Sequence, residues 1–358
     1  MKKFIIINPF GIGDVLFTTP VMRAIKDAYP DAFIGYWCNE RVTGLLKDNS
    51  CINIIFALSR GDLKKIHHQS KREGIYKFFN LLFQIKKEKF EVALDFSLDH
   101  RYSLITKILG IRKRVGFNYK GRGIFLTDKI DTQGYSSKHM VEYYLDLLTP
   151  LDIKPKRYDL DLKVSEDIKI KSKDMLNRCG VKNGDLLIGI APGAGESWGK
   201  DASIKRWPDI KFAQLADRIK INFAAAKIII LGDESERPIA DIIVKATKDK
   251  PIDLTGKTTL EELAGVINNL GLLIANDGGP LHIAVAQGIK TVSIFGPVDD
   301  LVYGPYPFDN NRHIVLRKTL DCSPCYQNFR LGPCLKNREC LQGLEVEEVL
   351  NAVHKLLD

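Results

Sequence analysis

The sequence predicts an α/β protein of two halves, each with a parallel sheet, and three observations lead there. The chain has 358 residues, beyond the size at which one hydrophobic core usually divides. Short apolar runs alternate with stretches whose apolar residues recur at helical spacing, the pattern of buried parallel strands joined by helices. Glycine-rich turns follow the apolar runs and so fall at strand C-termini, the edge that lines a ligand crevice in open α/β sheets.

Each element has its own warrant. Phe4-Ile5-Ile6-Ile7 reads as a first strand. The turn Asn8-Pro9-Phe10-Gly11-Ile12-Gly13-Asp14 follows, and Val15, Leu16, Met22, Ile25 and Ala28 then mark one helix face. Gly11-x-Gly13 lacks the third glycine of a dinucleotide fingerprint, because Leu16 stands there, which argues against a nicotinamide or flavin site. Asp14 sits at the mouth of this strand and reads either as a ligand-facing carboxylate or as a helix N-cap. Ala32–Trp37 and Ile52–Phe56 read as strands, Arg41–Lys47 as a helix, and Ser59–Glu73 as a polar, basic segment. Ile75–Phe90 reads as a helix with Phe78, Phe79, Leu82, Phe83 and Ile85 near one face and lysines at its end. Such a helix covers a sheet or lies on an anionic membrane surface. Val92–Phe96 and Ile111–Phe117 are further strands, and Val141–Leu151 closes the half as a helix.

Residues 154–164 read as an extended linker between an N-terminal domain of residues 1–153 and a C-terminal domain of residues 165–358. Asp159-x-Asp161 within it resembles a metal-binding acid pair, but the polar–apolar alternation explains both acids as the wet side of a strand. The scheme then repeats. Leu186–Ala191 is a strand ending in Pro192-Gly193-Ala194-Gly195, and Lys205-Arg206-Trp207-Pro208 leads into a helix from Asp209 to Ile219. Lys227–Leu231 ends at Gly232-Asp233-Glu234, and Thr258–Ile267 is a helix. Ile274-Ala275-Asn276-Asp277 is a strand that breaks at Gly278-Gly279 and resumes as a helix with Pro280 in its first turn. Bare N–H groups at that helix start favour an anionic ligand, with Asp277 and His282 beside it. Thr291–Pro297 is one more strand and turn, and a helix closes the chain.

Composition narrows the function. Apolar content of 45% and charged content of 27% describe an ordinary globular protein. No run approaches the ~18 apolar residues of a membrane span, and the apolar start is too short for a signal peptide, so a cytoplasmic protein is expected. The net charge of +9 suits an anionic partner, yet the basic residues form no nucleic-acid recognition motif. Cys322, Cys325, Cys334 and Cys340 cluster in one segment. They read as a structural zinc site or as ordinary thiols, and no metal ligand is assigned.

Gly13-Asp14-Val15 with Thr18-Thr19-Pro20, Pro192-Gly193-Ala194 with Lys205-Arg206-Trp207-Pro208, Asn276-Asp277-Gly278-Gly279-Pro280-Leu281-His282, and Phe295-Gly296-Pro297 occur in this order. Together they resemble the motifs of glycosyltransferase family 9, the bacterial heptosyltransferases of lipopolysaccharide core synthesis. The resemblance covers nearly the whole chain. It implies a GT-B fold, in which two Rossmann-like domains with parallel sheets face across a cleft. It also implies inverting sugar transfer with no obligatory metal or cofactor, from a nucleotide-sugar co-substrate expected to be ADP-heptose. The implied acceptor is the lipopolysaccharide inner core or a related phosphorylated glycolipid, with peripheral contact at the inner face of the membrane. By motif, Asp14 is the general base. Gly193, Ala194 and Lys205 hold the diphosphate, Glu234 the ribose, and Asp277, Gly278, Gly279 and His282 the rest of the donor. Gly13, Lys64, Lys65, Arg72 and Arg114 are expected at the acceptor. Two departures bear on the donor: residues 195–203 lengthen the phosphate loop, and Gly278 replaces the threonine common after the donor aspartate. A nucleotide-sugar epimerase or hydrolase, and a non-catalytic nucleotide-sugar binder, are the rival readings.

Overall fold

A computed structural model describes the backbone of residues 1–358 and all side chains except those of Arg60, Lys65, His67, His68, Glu196, Ser197, Trp198 and Lys200. The chain forms two compact units, Met1–Asp161 and Leu162–Asp358.

The first unit contains β1 (Lys3–Ile7), α1 (Ile12–Leu16), α2 (Thr19–Ala28), β2 (Phe33–Cys38), α3 (Thr43–Leu46), β3 (Ile54–Ala57), α4 (Arg60–Gln69) and α5 (Lys71–Glu88). It continues through β4 (Val92–Asp95), α6 (His100–Ile108), β5 (Lys113–Tyr119), β6 (Asp128–Thr132) and α7 (Met140–Asp146). Its sheet runs β3-β2-β1-β4-β5-β6, every pair parallel. Ile5 and Ile7 pack with Trp37, Phe56, Leu81, Ile85 and Ala93 in one core cluster. This explains the unbroken apolar run of β1: a central parallel strand is covered on both faces.

The second unit contains α8 (Glu166–Arg178), β7 (Leu186–Ala191), α9 (Asp209–Asn222), β8 (Ala226–Ile230), α10 (Arg237–Ala246), β9 (Ile252–Asp253), α11 (Leu260–Ile267) and β10 (Leu272–Asn276). Then come α12 (Gly279–Ala286), β11 (Lys290–Ile294), α13 (Asp300–Tyr303), β12 (His313–Leu316), a short hairpin of β13 (Tyr326–Gln327) and β14 (Arg330–Leu331), α14 (Glu339–Gln342) and α15 (Val346–Leu357). The sheet order is β12-β11-β10-β7-β8-β9, again all parallel. Its core joins Ile188, Ile190, Trp207, Phe212, Ile274 and Ile294 to Val349 and Val353 of α15.

Counted from its own first strand, each sheet has the order 3-2-1-4-5-6. That order reverses direction between the first and fourth strands, where ligands bind outside the strand ends. The reversal lies between β1 and β4 in the first unit and between β7 and β10 in the second.

The structure adds detail to several expectations. The basic segment Ser59–Glu73 is helical: Ser59 and Asp62 form a capping box on α4, and Ser70 accepts from the Glu73 N–H to start α5. Arg41–Lys47 divides into a 3₁₀ turn, Glu40–Val42, and the short α3. Residues 154–164 contain no strand. Instead the Asp161 N–H donates to Thr19 Oγ1 at 3.0 Å, and its carboxylate lies 3.7 Å from Arg23. The aromatic face expected on the helix after Ile75 splits: Leu81 and Ile85 are buried, while Phe79 and Phe83 are exposed.

Candidate active site

In the first unit, β1 hands the chain to a loop braced by two buried asparagines. Asn8 donates to the Asp14 carbonyl at 2.9 Å and accepts from the Phe10 N–H at 3.1 Å. Asn39 donates to the Pro9 and Phe10 carbonyls. Gly11 is the N-cap of α1 and contributes no side-chain bond. Asp14 therefore lies inside the first helical turn and is not the cap. The cap of α2 is Thr18, whose hydroxyl lies 2.7 Å from Tyr36 Oη. Burial pushes the phenols of Tyr36 and Tyr135 well up, and the negative charge of Asp14 adds to both shifts. Across the reversal point, Ile7 pairs with Asp95. Asp95 is buried, accepts from the Ser97 N–H at 2.9 Å, and has its pKa raised to about 6 by desolvation.

The expected acceptor residues come from four elements, α1, α4, α5 and β5. Gly13 sits beside Asp14 on α1. Lys64 is exposed on α4 and Arg72 is exposed on α5. The side chain of Lys65 lies outside the described residues. Arg114 donates to the Phe125 carbonyl at 2.7 Å and the Ile111 carbonyl at 2.5 Å. Its guanidinium is thus engaged in bracing its own loop.

In the second unit Lys205, Asp277 and His282, three of the expected donor residues, lie together. Trp207 is fully buried, and its indole N–H donates to the Leu344 carbonyl at 3.0 Å. Asn276, at the end of β10, accepts from the Trp207 N–H at 3.0 Å and donates to the Pro192 carbonyl at 2.7 Å. These bonds tie the segment before α9, the turn after β7 and the end of β10 together. The result is a buried ion pair: Lys205 Nζ lies 2.6 Å from Asp277 Oδ2, with side chains only 6% and 9% exposed. His282, one turn into α12, is buried beside them. Desolvation drives its pKa down to about 4, Asp277 opposes that and Lys205 adds to it. The imidazole is therefore neutral at pH 7.

Two glycines let backbones approach here for different reasons. A Cβ on Gly193 would lie 1.6 Å from Glu236 Oε1, so any larger residue there must displace the Glu236 carboxylate. Gly195, at φ +75°, donates its N–H to the same carboxylate at 3.2 Å. Glu236 thus occupies the glycine turn after β7, and burial pushes its carboxyl pKa up. Glu234 is exposed and packs over Gly256. Gly278, by contrast, is extended, and a Cβ there would meet nothing closer than 3.7 Å.

Sequence reasoning did not assign roles to Glu236, Asn276, Asp95 or Tyr135. For Glu236 a signal existed, since Asp233-x-x-Glu236 is a capping box. The cysteines are free, with Cys322 and Cys334 exposed. Burial, then the neighbouring thiols, raise the Cys340 pKa to about 11. Among the described residues no group of three or more His, Cys, Asp or Glu side chains is placed to hold a metal ion.

Two doubly wound units of this order, each with a polar cluster at its reversal point, make a GT-B architecture. The model of glycosyltransferase family 9 (heptosyltransferase) matches residues 78–334, and the chain belongs to that family. Lipooligosaccharide heptosyltransferase 2 of Campylobacter jejuni serotype O:2 is 29% identical over 366 residues, covering 100% of this chain and 98% of its own. The crystal structure of a family 9 glycosyl transferase from Veillonella parvula matches with TM-score 0.83 at 22% identity, covering 99% of this chain and 97% of that one. The ADP-heptose lipopolysaccharide heptosyltransferase II of Escherichia coli matches with TM-score 0.77 at 20% identity, over 100% and 98%. The protein is a glycosyltransferase.

Proposed function

We propose that this chain transfers a heptosyl group, with inversion, from ADP-heptose to a phosphorylated glycolipid acceptor of the lipopolysaccharide inner core. The donor and acceptor follow the names of its relatives. The observation that carries the chemistry is the buried Lys205–Asp277 pair beside the glycine turn and the start of α12.

In this reading the acceptor hydroxyl oxygen attacks the anomeric carbon, a new C–O bond forms, and the bond to the diphosphate oxygen breaks. Asp14 takes the hydroxyl proton, a contribution of roughly 10²–10⁴-fold in such reactions. Negative charge grows on the departing ADP. Lys205 and the N–H groups of Gly193, Ala194, Gly278 and Gly279 stabilise it in place, without a metal. Asp277 holds the Lys205 ammonium in position. Neutral His282 contributes a hydrogen bond rather than a charge, and Glu234 takes the ribose hydroxyls. Gly13, Lys64, Lys65, Arg72 and Arg114 are the candidate acceptor contacts in this reading, Arg114 with its Nε and Nη1 already donating to backbone carbonyls.

A thermal-shift panel of ADP, UDP and GDP tests the donor. A ligand that binds only the folded state raises Tm, so ADP should raise it most. A larger shift with UDP or GDP would refute the donor assignment. Consumption of ADP-heptose in water at the rate seen with acceptor would replace transfer by hydrolysis.

A further inference from the structure

α5 places exposed aromatic and basic side chains in a single line. Arg72, Tyr76, Phe79, Phe83 and Lys86 follow one another at three- and four-residue intervals, so they share one face. At 1.5 Å per residue the stripe is roughly 21 Å long. Tyr76, Phe79 and Phe83 are 70%, 63% and 68% exposed, and Ile75 beside them is 50% exposed. The opposite face carries Gly74, Leu81 and Ile85, all buried, and Leu81 and Ile85 belong to the core of the unit. The helix thus has two apolar faces, and the sheet accounts for only one of them.

Charge tells what covers the other. Lys71–Glu88 contains five basic residues and two acidic ones. Both acids are already matched: Glu73 lies 2.9 Å from Lys77, and Glu88 lies 3.2 Å from Lys3. Among the described residues Arg72, Lys86 and Lys87 have no ionic partner, and Lys64 on neighbouring α4 is exposed. Aromatic rings in a line, bracketed by cations at both ends, match the headgroup zone of an anionic bilayer. There the rings sink to the acyl boundary and the long basic side chains reach up to phosphate. No helix among the described residues is long and apolar enough to cross a membrane, so such contact is at the surface.

We propose that this face of α5 docks the enzyme on an anionic phospholipid bilayer, with Tyr76, Phe79 and Phe83 as the inserted residues. The docking is independent of donor chemistry, and its test reads no sugar transfer, so its failure leaves the transferase assignment intact.

The full-length chain is floated with vesicles of phosphatidylcholine alone and of phosphatidylcholine mixed with phosphatidylglycerol. The wild type should bind the anionic vesicles several-fold better, with the difference shrinking as salt rises. Phe79→Ser with Phe83→Ser should lower that partition by about tenfold or more, with Tm and ADP binding unchanged. If that variant is destabilised, Tyr76→Ser with Phe83→Ser provides the same reading. Lys86→Gln with Lys87→Gln should weaken binding at low salt only. Three results would overturn the proposal: no wild-type binding to anionic vesicles at low salt, equal binding by the aromatic variants, or a lipid-free dimer that the aromatic variants dissociate. The last would give the face to a second copy of the chain.

Discussion

Replacing Lys205 by methionine keeps most of the side-chain volume and removes the charge facing Asp277. Both members of the pair are nearly sealed from water, at 6% and 9% exposed and 2.6 Å apart. The variant therefore leaves a carboxylate buried without its cation, which typically costs about 3–5 kcal/mol. For a unit of this size each kcal/mol lowers Tm by roughly 2–4 °C, so the expected loss is roughly 6–20 °C. Removing both charges together, Lys205→Met with Asp277→Leu, should recover most of that loss. ADP binding separates structure from function: losing a charge-assisted contact costs roughly 1.5–3 kcal/mol, or about 10- to 150-fold in Kd. Adenosine, which has no diphosphate, should bind the single variant as it binds the wild type. The single variant should also let the His282 pKa rise from about 4, because Lys205 helps to hold it down, and NMR titration of the imidazole reads this. Calorimetry and isothermal titration complete the set. A stability change under about 1 kcal/mol would refute the buried-pair argument. Equal losses for ADP and adenosine would refute the diphosphate role.

Other expectations follow from single groups. The His282 pKa lies below its ordinary 6.5, so the unfolded chain takes up the proton first. Its stabilising contribution is full above pH 6.5 and lost as pH falls toward 4, by about 3 kcal/mol at most. His313, also lowered to about 4, behaves alike, so His282→Asn should flatten, without abolishing, the fall in stability measured by urea titration across that window. Asp95 has the opposite sign: its pKa is raised from 3.8 to about 6, so its penalty grows as pH rises through that interval and is complete above it. Asp95→Asn, which keeps an acceptor for the Ser97 N–H, should therefore stabilise the protein at pH 7–8 by up to about 3 kcal/mol. Gly193→Ala should lower Tm and weaken ADP binding by displacing Glu236, while Gly278→Ala, whose Cβ would meet only Ala194 at ordinary contact distance, should fold normally.

The parts of the site nearest a single strand end were legible in the sequence. β1, β7 and β10 announce themselves as apolar runs stopped by glycine or proline, because a central parallel strand is buried on both sides and its exit turn needs special backbone freedom. Asp14, Gly193 and Asp277 could be placed at sheet edges for that reason. Helices and strands of low hydrophobicity were not legible. α4, α8 and the edge strand β6 (Asp128-Lys129-Ile130-Asp131-Thr132) have half-exposed residues that weaken any apolar period. Ser59 with Asp62 and Ser70 with Glu73 did mark helix starts by their capping spacing. The Lys205–Asp277 contact and the seating of Glu236 in the glycine turn join residues far apart in the chain. Local pattern carries no information about either, and the fold supplies both.

The most direct test of the account compares Asp14→Asn with the wild type in single-turnover transfer from ADP-heptose, using an acceptor the wild type glycosylates. The substitution preserves shape and removes the proton acceptor. The account predicts a rate lowered by roughly 10²-fold or more, with ADP-heptose affinity within a few-fold of wild type, because Asp14 belongs to the first unit and the proposed donor residues to the second. Transfer at near the wild-type rate would contradict it and leave Asp14 as no more than a residue in the first turn of α1.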